Sequence, residues 1–200
     1  MKYIEKEGNL FDDLDKQTAY ACLIANDGSY NTTPPEFFLK TYEQTEILTK
    51  ELEANPWDPK NPGWCCVIAE ENKPIICYLV IKKDSQSTNH RIAIRNALMD
   101  MVEKLKKIER WNKCICTAEY KSSYPIYSQF NLKGTCKSLF KDEDITITIF
   151  YNIKSRLISF RQDANKIINS LNETNENYKK IKKYFIKTVD FINEMIEKIC

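Results

Sequence analysis

Tyr20-Ala-Cys-Leu-Ile-Ala25 and Asp144-Ile-Thr-Ile-Thr-Ile-Phe-Tyr151 are the two stretches that decide the fold class. The first is a short, nearly all-apolar run, which is typical of a strand covered on both faces of its sheet. The second alternates between apolar and polar residues and is rich in β-branched side chains, which also predicts a strand. We therefore expect a sheet that is covered by other elements.

Outward from these stretches, short apolar runs alternate with helical patterns. Further strands are predicted at residues 64–69, 74–81 and 113–117, and helices after Pro34-Pro35, from Ile92 to Leu105 and over residues 125–139. Residues 55–63 hold three prolines and predict a loop. Because strands alternate with helices, the sequence predicts an α/β domain with a central, largely parallel sheet.

The chain changes character after residue 151. Residues 152–200 contain no glycine or proline and carry ten Lys and Arg against six Asp and Glu, whereas residues 1–151 carry twenty against twenty-two. Two helices are expected, from Ser155 to Leu171 and from Tyr178 to Ile199, with a turn between them. We therefore predict a domain over residues 1–151 and a helical hairpin extension over 152–200, packed on the domain or on another copy.

Charge and hydropathy make nucleic acid and membrane unexpected as partners. The net charge is +2, and the sequence shows no basic stripe with interleaved aromatics, so nucleic acid is not an expected partner. No apolar run approaches the roughly 20 residues that span a bilayer, so no membrane contact is expected. The first residues lack the apolar core of a signal peptide. An intracellular location, cytoplasmic or nuclear, is the expectation.

The eight cysteines predict buried thiols rather than a metal site. Cys65 and Cys66 are neighbours, Cys114 and Cys116 alternate along a strand, no C-x-x-C pair occurs, and His90 is the single histidine. Free cysteine is one of the residue types found buried most often. The sequence therefore predicts no metal and no cofactor.

The order of the motifs resembles that of macrodomains. Tyr3 followed by Gly8-Asn-Leu-Phe11 resembles their Y-x-x-G-D-L-F opening, and Ala21–Asp27, Ile75–Lys83 and Phe140–Thr148 resemble later strands. The chain is most similar to the terminal ADP-ribose protein deacylases and glycohydrolases, over about residues 2–151. This resemblance implies a mixed, largely parallel sheet between helices. It also implies an ADP-ribose groove at the carboxyl ends of the strands.

The resemblance also implies where a ligand would lie. Asn9 stands where the family has an acidic residue that accepts a hydrogen bond from adenine, although Asn9 as a plain turn residue is an equal alternative. The two glycine-rich phosphate loops are replaced by Asn31-Thr-Thr-Pro-Pro35 and Ala118-Glu-Tyr-Lys-Ser-Ser123. The predicted ligand-binding residues are Asn9, Asp27, Asn31, Thr32, Lys121, Ser122, Ser123 and Tyr124.

The catalytic positions that the resemblance implies are also replaced. The family uses a lysine just before the long helix and an aspartate after the second glycine loop, and the aligned positions hold Thr88 and Pro125. Neither can supply a nucleophilic amine or an acid. No catalytic residue is predicted, although Lys82, Lys83 or Asp27 would be the substitutes available.

Three functions remain open from the sequence. The chain is a non-catalytic macrodomain-like protein that binds ADP-ribose or a related nucleotide, or a hydrolase with displaced catalytic residues, or a module that binds a protein through its C-terminal helices. Both glycine loops and both catalytic positions are substituted, while the strands are spared. We therefore favour a pseudoenzyme with a ligand-binding or protein-interaction role.

Overall fold

The computed structural model describes residues 1–12, 14–30, 33–87, 91–118, 133–170 and 176–199. The chain divides into two compact units, Met1–Phe150 and Tyr151–Cys200. The first unit is an α/β domain, and the second consists of two helices. The boundary predicted at residues 151 and 152, with 152–200 as a helical hairpin, stays a prediction.

The first unit contains a six-stranded sheet. Its strands follow the order β1-β6-β5-β2-β4-β3, where β2 pairs in parallel with β4 and β5, β5 pairs in parallel with β6, and β3 runs antiparallel to β4. This confirms the predicted mixed, largely parallel sheet. The strands are β1 (Lys2–Glu7), β2 (Ala19–Ala25), β3 (Trp64–Ile68), β4 (Ile75–Lys82), β5 (Cys114–Ala118) and β6 (Thr146–Tyr151).

Helices lie between β2 and β3, between β4 and β5, and between β5 and β6 in the chain. They are α1 (Thr33–Thr41), α2 (Thr45–Ala54), α3 (Arg91–Leu105) and α4, which covers residues 133–139. The helical stretch predicted after Pro34-Pro35 is in fact two helices. Glu43 has a φ of 56°, a left-handed conformation that ends α1, and Gln44 is fully buried where it accepts a hydrogen bond from the Tyr78 hydroxyl at 3.0 Å. Most of the helix predicted over 125–139 lies outside the described residues.

Each face of the sheet carries its own apolar core. Along β4, Ile75, Cys77, Leu79 and Ile81 face the core that contains α3, while Ile76, Tyr78 and Val80 face the core that contains α1. Successive side chains of a strand point to opposite faces, so a strand covered on both sides is apolar throughout. This is why β4 is buried at every residue.

Most cysteines of the described chain lie in these cores as free thiols. Cys22, Cys65, Cys66, Cys77 and Cys136 are buried, as the sequence predicts. Burial raises the pKa of the Cys66 thiol to about 12, so it stays protonated and unreactive at neutral pH. Across the described ranges, no group of three or more His, Cys, Asp and Glu side chains is arranged to hold a metal ion.

The second unit consists of α5 (Ile153–Ser170) and α6 (Glu176–Ile199), which pack against each other. Arg161 Nη1 donates a hydrogen bond to Asn193 Oδ1 at 3.2 Å and links the two helices. These helices confirm the predicted helical extension. Within the described residues, no helix combines the length and the apolar character needed to cross a bilayer.

The outer edge of the sheet is closed by an ion pair of α3. Strand β3 lies at this edge, where Cys65 N–H donates to Asp100 Oδ2 at 2.8 Å and Cys65 O accepts from Lys104 Nζ at 2.6 Å. Asp100 and Lys104 also pair with each other at 2.8 Å. An edge strand with unpaired backbone groups can pair with another chain, and this pair occupies those groups at Cys65.

We predict that Asp100→Ala lowers the free energy of unfolding by about 1–3 kcal/mol, because it leaves the Cys65 N–H without its acceptor and the Lys104 ammonium without its ion-pair partner. Urea denaturation measures this. Glu103→Ala is the matched control on the same helix, since Glu103 only pairs with Lys106 at the exposed surface, and it should change stability by less than about 0.5 kcal/mol. Equal effects of the two substitutions would contradict the role of Asp100.

Candidate functional site

The sheet topology has a switch point at the carboxyl ends of β2 and β5. These strands are parallel neighbours, with Ala19 opposite Ile115 and Ala21 opposite Thr117. The chain leaves β2 toward β3 and β4 on one side, and leaves β5 toward β6 on the other side. In open α/β sheets, ligands bind where neighbouring strands send their connections in opposite directions. This is the candidate site.

Two of the predicted ligand residues lie in the described part of the chain, Asn9 after β1 and Asp27 after β2. The segments that follow β2 and β5 in the sequence contain the remaining ones. The residues that lie outside the described residues are Asn31, Thr32, Lys121, Ser122, Ser123 and Tyr124, together with the aligned catalytic positions Thr88 and Pro125.

Asn9 closes the turn that follows β1. Its Oδ1 accepts a hydrogen bond from the Phe11 N–H at 3.3 Å, and its Nδ2 donates to Asp12 Oδ1 at 3.0 Å. An asparagine that bonds the backbone two residues on is a common turn device. A carbonyl oxygen has two lone pairs, so Asn9 Oδ1 can accept one further hydrogen bond from a ligand.

An aromatic contact joins this turn to α1. The rings of Phe11 and Phe37 stack with centroids 4.1 Å apart, and Phe11 meets Phe38 edge-on at 5.7 Å. Such aromatic pairs contribute about 0.5–1.5 kcal/mol beyond the burial of their area. The position of Asn9 therefore depends on the position of α1.

Asp27 links the loops that follow β2 and β4. Its Oδ1 accepts from the Ser29 N–H at 2.9 Å and its Oδ2 from the Ser85 N–H at 3.3 Å. Partial burial raises the pKa of the Asp27 carboxyl, but the hydrogen bonds from Ser29 and Ser85 together outweigh it, and the pKa lies below its ordinary value. Asp27 is therefore an anion at neutral pH, which disfavours a phosphate beside it.

Lys82 ends β4 beside these loops. Its side chain is only 7% exposed, and its Nζ donates to the backbone oxygen of Ser85 at 3.4 Å, while its own backbone oxygen accepts from the Asn26 N–H at 2.9 Å. Lys83, the next residue, is exposed. The sequence offered both lysines as equal substitutes, and only the strand geometry distinguishes them.

The first turn of α1 is poorly equipped to hold a phosphate. A helix N-terminus binds anions through its free N–H groups and its positive dipole end. In α1, Pro34 and Pro35 are buried and have no N–H to donate. The carboxylate of Glu36 lies in the same turn, where it pairs with Lys40 at 2.6 Å, and already occupies the position that the dipole favours for an anion.

The proline-rich loop, residues 55–63, is held by contacts with the loop after β2 and with α3. Trp64 Nε1 donates to Asn26 Oδ1 at 3.1 Å, and Asn96 Nδ2 donates to the Pro62 oxygen at 2.8 Å. Gly63 has a φ of 90°, and a Cβ at this position would overlap the carbonyl oxygen of Ala93 in α3. The loop therefore approaches α3 as closely as its backbone allows.

Proteins of known structure resemble about three quarters of this chain. The macrodomain of Thermus aquaticus DarG is 12% identical, with a TM-score of 0.57 over 74% of this chain and 97% of its own. A macrodomain protein from Streptomyces coelicolor is 9% identical, with a TM-score of 0.59 over 74% and 98%. Thermosipho africanus DarTG, in complex with ADP-ribose, is 10% identical, with a TM-score of 0.55 over 76% and 42%.

At these identities the likeness confirms the predicted fold and shows nothing finer. No protein-family model and no curated protein matches the chain. The match covers about three quarters of the chain, which is close to the share that the first unit contributes.

We predict that Gly63→Ala lowers the free energy of unfolding by more than about 2 kcal/mol, because it combines a left-handed backbone with a steric overlap. Gly134→Ala is the matched control. It lies in α4 with no atom within 4 Å of the added methyl group, and it should stabilise the protein by about 0.5–1 kcal/mol. Thermal and urea denaturation measure both, and opposite signs are the expected result.

Proposed function

Because this chain has the macrodomain fold, we propose that it is a binding module for ADP-ribose or a closely related nucleotide and that it does not hydrolyse this ligand. The observation that carries the proposal is the first turn of α1, which follows β2 and so lies next to the proposed ligand site. This turn lacks the backbone donors that would hold a diphosphate, so we expect the ligand to be bound without being processed. The seat of the ligand is the crevice at the carboxyl ends of β2 and β5.

The nucleoside end of the ligand is the better supported end. Asn9 Oδ1 retains a lone pair for the adenine amine, which is the contact that the resemblance implies at this position. The stacked Phe11 and Phe37 rings hold the turn in place. Preorganised acceptors of this kind lose little conformational entropy on binding, so the adenosine part supplies most of the affinity.

The diphosphate part of the ligand is expected to contribute less to the affinity than the adenosine part. Pro34 and Pro35 remove two backbone donors, while Glu36 and Asp27 place two carboxylates on the loop and helix that follow β2. Carboxylates near the diphosphate repel it, and the missing donors leave its oxygens without partners. We therefore expect binding weaker than micromolar, which corresponds to less than about 8 kcal/mol of binding free energy.

Titration calorimetry with ADP-ribose and with adenosine tests the proposal. We expect the two dissociation constants to lie within about tenfold of each other, since the diphosphate contributes little. Glu36→Gln should tighten ADP-ribose binding about two- to fivefold, because one carboxylate at a helix N-terminus is worth about 0.3–1 kcal/mol, and should leave adenosine binding unchanged.

Glu46→Gln is the control for this substitution. Glu46 lies in the first turn of α2 and pairs with Lys50 at 2.8 Å, as Glu36 pairs with Lys40 in α1. It should alter neither dissociation constant. If no heat is released at millimolar ADP-ribose, the proposed binding is wrong.

A hydrolase is the second candidate, and the position of Lys82 favours it. Lysine nucleophiles lie in pockets that desolvate the amine or hold a second cation, and Lys82 is buried at the carboxyl end of β4. Asp27 reaches the same loop through the Ser85 N–H, so a carboxylate and an amine both contact Ser85. This arrangement is what a hydrolase with displaced catalytic residues would need.

Incubation with a protein that carries glutamate-linked mono-ADP-ribose separates the two candidates. Under the proposed binding role we expect no release of ADP-ribose above the rate without protein, measured by chromatography of the free nucleotide. Release that is lost in Lys82→Ala and kept in Lys83→Ala would establish the hydrolase instead. The Lys83 variant is the control, because it removes the same charge from the exposed neighbour.

A further inference from the structure

Helix α6 carries a line of alternating lysine and aromatic side chains. Lys180, Tyr184, Lys187, Phe191 and Lys198 follow one another at spacings of four, three, four and seven residues, so they share one side of the helix. The exposed Glu194 lies on the same side, in the interval between Phe191 and Lys198. All five are exposed, and the two rings are exposed to 70% and 62% for Tyr184 and Phe191. We call these five residues the lysine–aromatic stripe.

The charge of α6 selects an anionic partner. Five lysines and no acidic residue lie between Glu176 and Asp190, so this half of the helix has a strongly positive potential. The partner must therefore bring several negative charges.

Both a polynucleotide and a membrane surface carry several negative charges. The positions of the aromatic rings in α6 favour the polynucleotide. A helix that lies on a membrane has an exposed apolar face that is separate from its lysines. In α6 the centre of the apolar face is covered, since Ile192 is only 7% exposed. The exposed rings instead lie between the lysines of the stripe. Alternating cations and rings match a chain in which phosphates alternate with stackable bases.

We propose that the lysine–aromatic stripe of α6 binds single-stranded nucleic acid. Lys180 and Lys187 contact phosphates, and Tyr184 and Phe191 stack on bases, which in a duplex are already stacked on one another. Lys180 and Lys198 are 18 residue steps apart in the helix, which is about 27 Å at 1.5 Å per step. This site lies in the second unit.

This inference revises the expectation that nucleic acid is not a partner. That expectation rested on the absence of a basic stripe with interleaved aromatics along the linear sequence. The members of the stripe are three, four or seven residues apart, so they become neighbours only when the segment is helical.

Fluorescence anisotropy with labelled dT20, rU20 and a 20-base-pair duplex tests the proposal on the full chain. We expect binding to at least one of the single strands, with weaker binding to the duplex. Phe191→Ala should weaken single-strand binding about tenfold, as expected for the loss of one stacked base. Lys180→Ala combined with Lys187→Ala should reduce the slope of log affinity against log salt by about 1.4, since two phosphate contacts are lost.

Two matched variants serve as controls. Phe160→Ala removes an equally exposed ring from α5, where Phe160 is 65% exposed and outside the stripe, and Lys50→Ala removes an exposed lysine from α2. Neither should change the affinity or the salt slope. Far-UV circular dichroism confirms that each variant keeps its helices.

Three results would overturn the proposal. One is no binding of either single strand at 50 mM salt and micromolar protein. Another is equal loss of affinity in Phe160→Ala and Phe191→Ala. The last is binding to vesicles of anionic phosphatidylserine without binding to either oligonucleotide, which would make the stripe a membrane contact.

Discussion

Strand β4 is buried at every one of its residues, because helices cover the sheet on both faces. Strand β2 beside it is buried at every residue except Leu23. An unpaired backbone group in such an interior costs several times more than one at the surface, so the central strands must remain paired along their length. Parallel pairing of β2 with β4 and β5 provides this. The rest of the first unit is arranged around these three strands.

Several charged groups lie at the margins of the sheet as a consequence. At the outer margin, Asp100 and Lys104 occupy the backbone groups of Cys65. At the carboxyl margin, Asp27 and Ser85 join the loops after β2 and β4, with Lys82 beside them. The same constraint therefore produces a protected sheet edge and a polar carboxyl margin, and it is at the carboxyl margin that an open α/β sheet binds its ligand.

The fold of the first unit favours binding of ADP-ribose, whereas the residues at the start of α1 disfavour a tightly held diphosphate. The fold is shared with the macrodomain of Thermus aquaticus DarG and with a DarTG structure in complex with ADP-ribose. The buried Pro34 and Pro35 and the carboxylate of Glu36 nevertheless leave α1 with a weak anion site. Function is decided by the site and not by the fold, which is why the proposal keeps the ligand class and omits the hydrolysis.

Local periodicity in the sequence determined most of the fold. The apolar run Tyr20–Ala25, the alternation of Asp144–Tyr151 and the amphipathic pattern of Ile92–Leu105 each correspond to an observed element, because such patterns depend on neighbours within a few residues. Strand β1 was not predicted, since its residues are mostly exposed and polar. The break between α1 and α2 was not predicted either, because it depends on the contact of Gln44 with Tyr78, 34 residues away.

Only the tertiary structure decided the details of the two sites. It joined Asp27 to Ser85, buried Lys82 while leaving Lys83 exposed, and left the rings of α6 exposed between lysines. These features depend on distances between residues that are far apart in the chain or on opposite sides of a helix, and a linear pattern contains no such distances. The sequence by itself thus determined the class of the fold, and three-dimensional packing decided which side chains a ligand can reach.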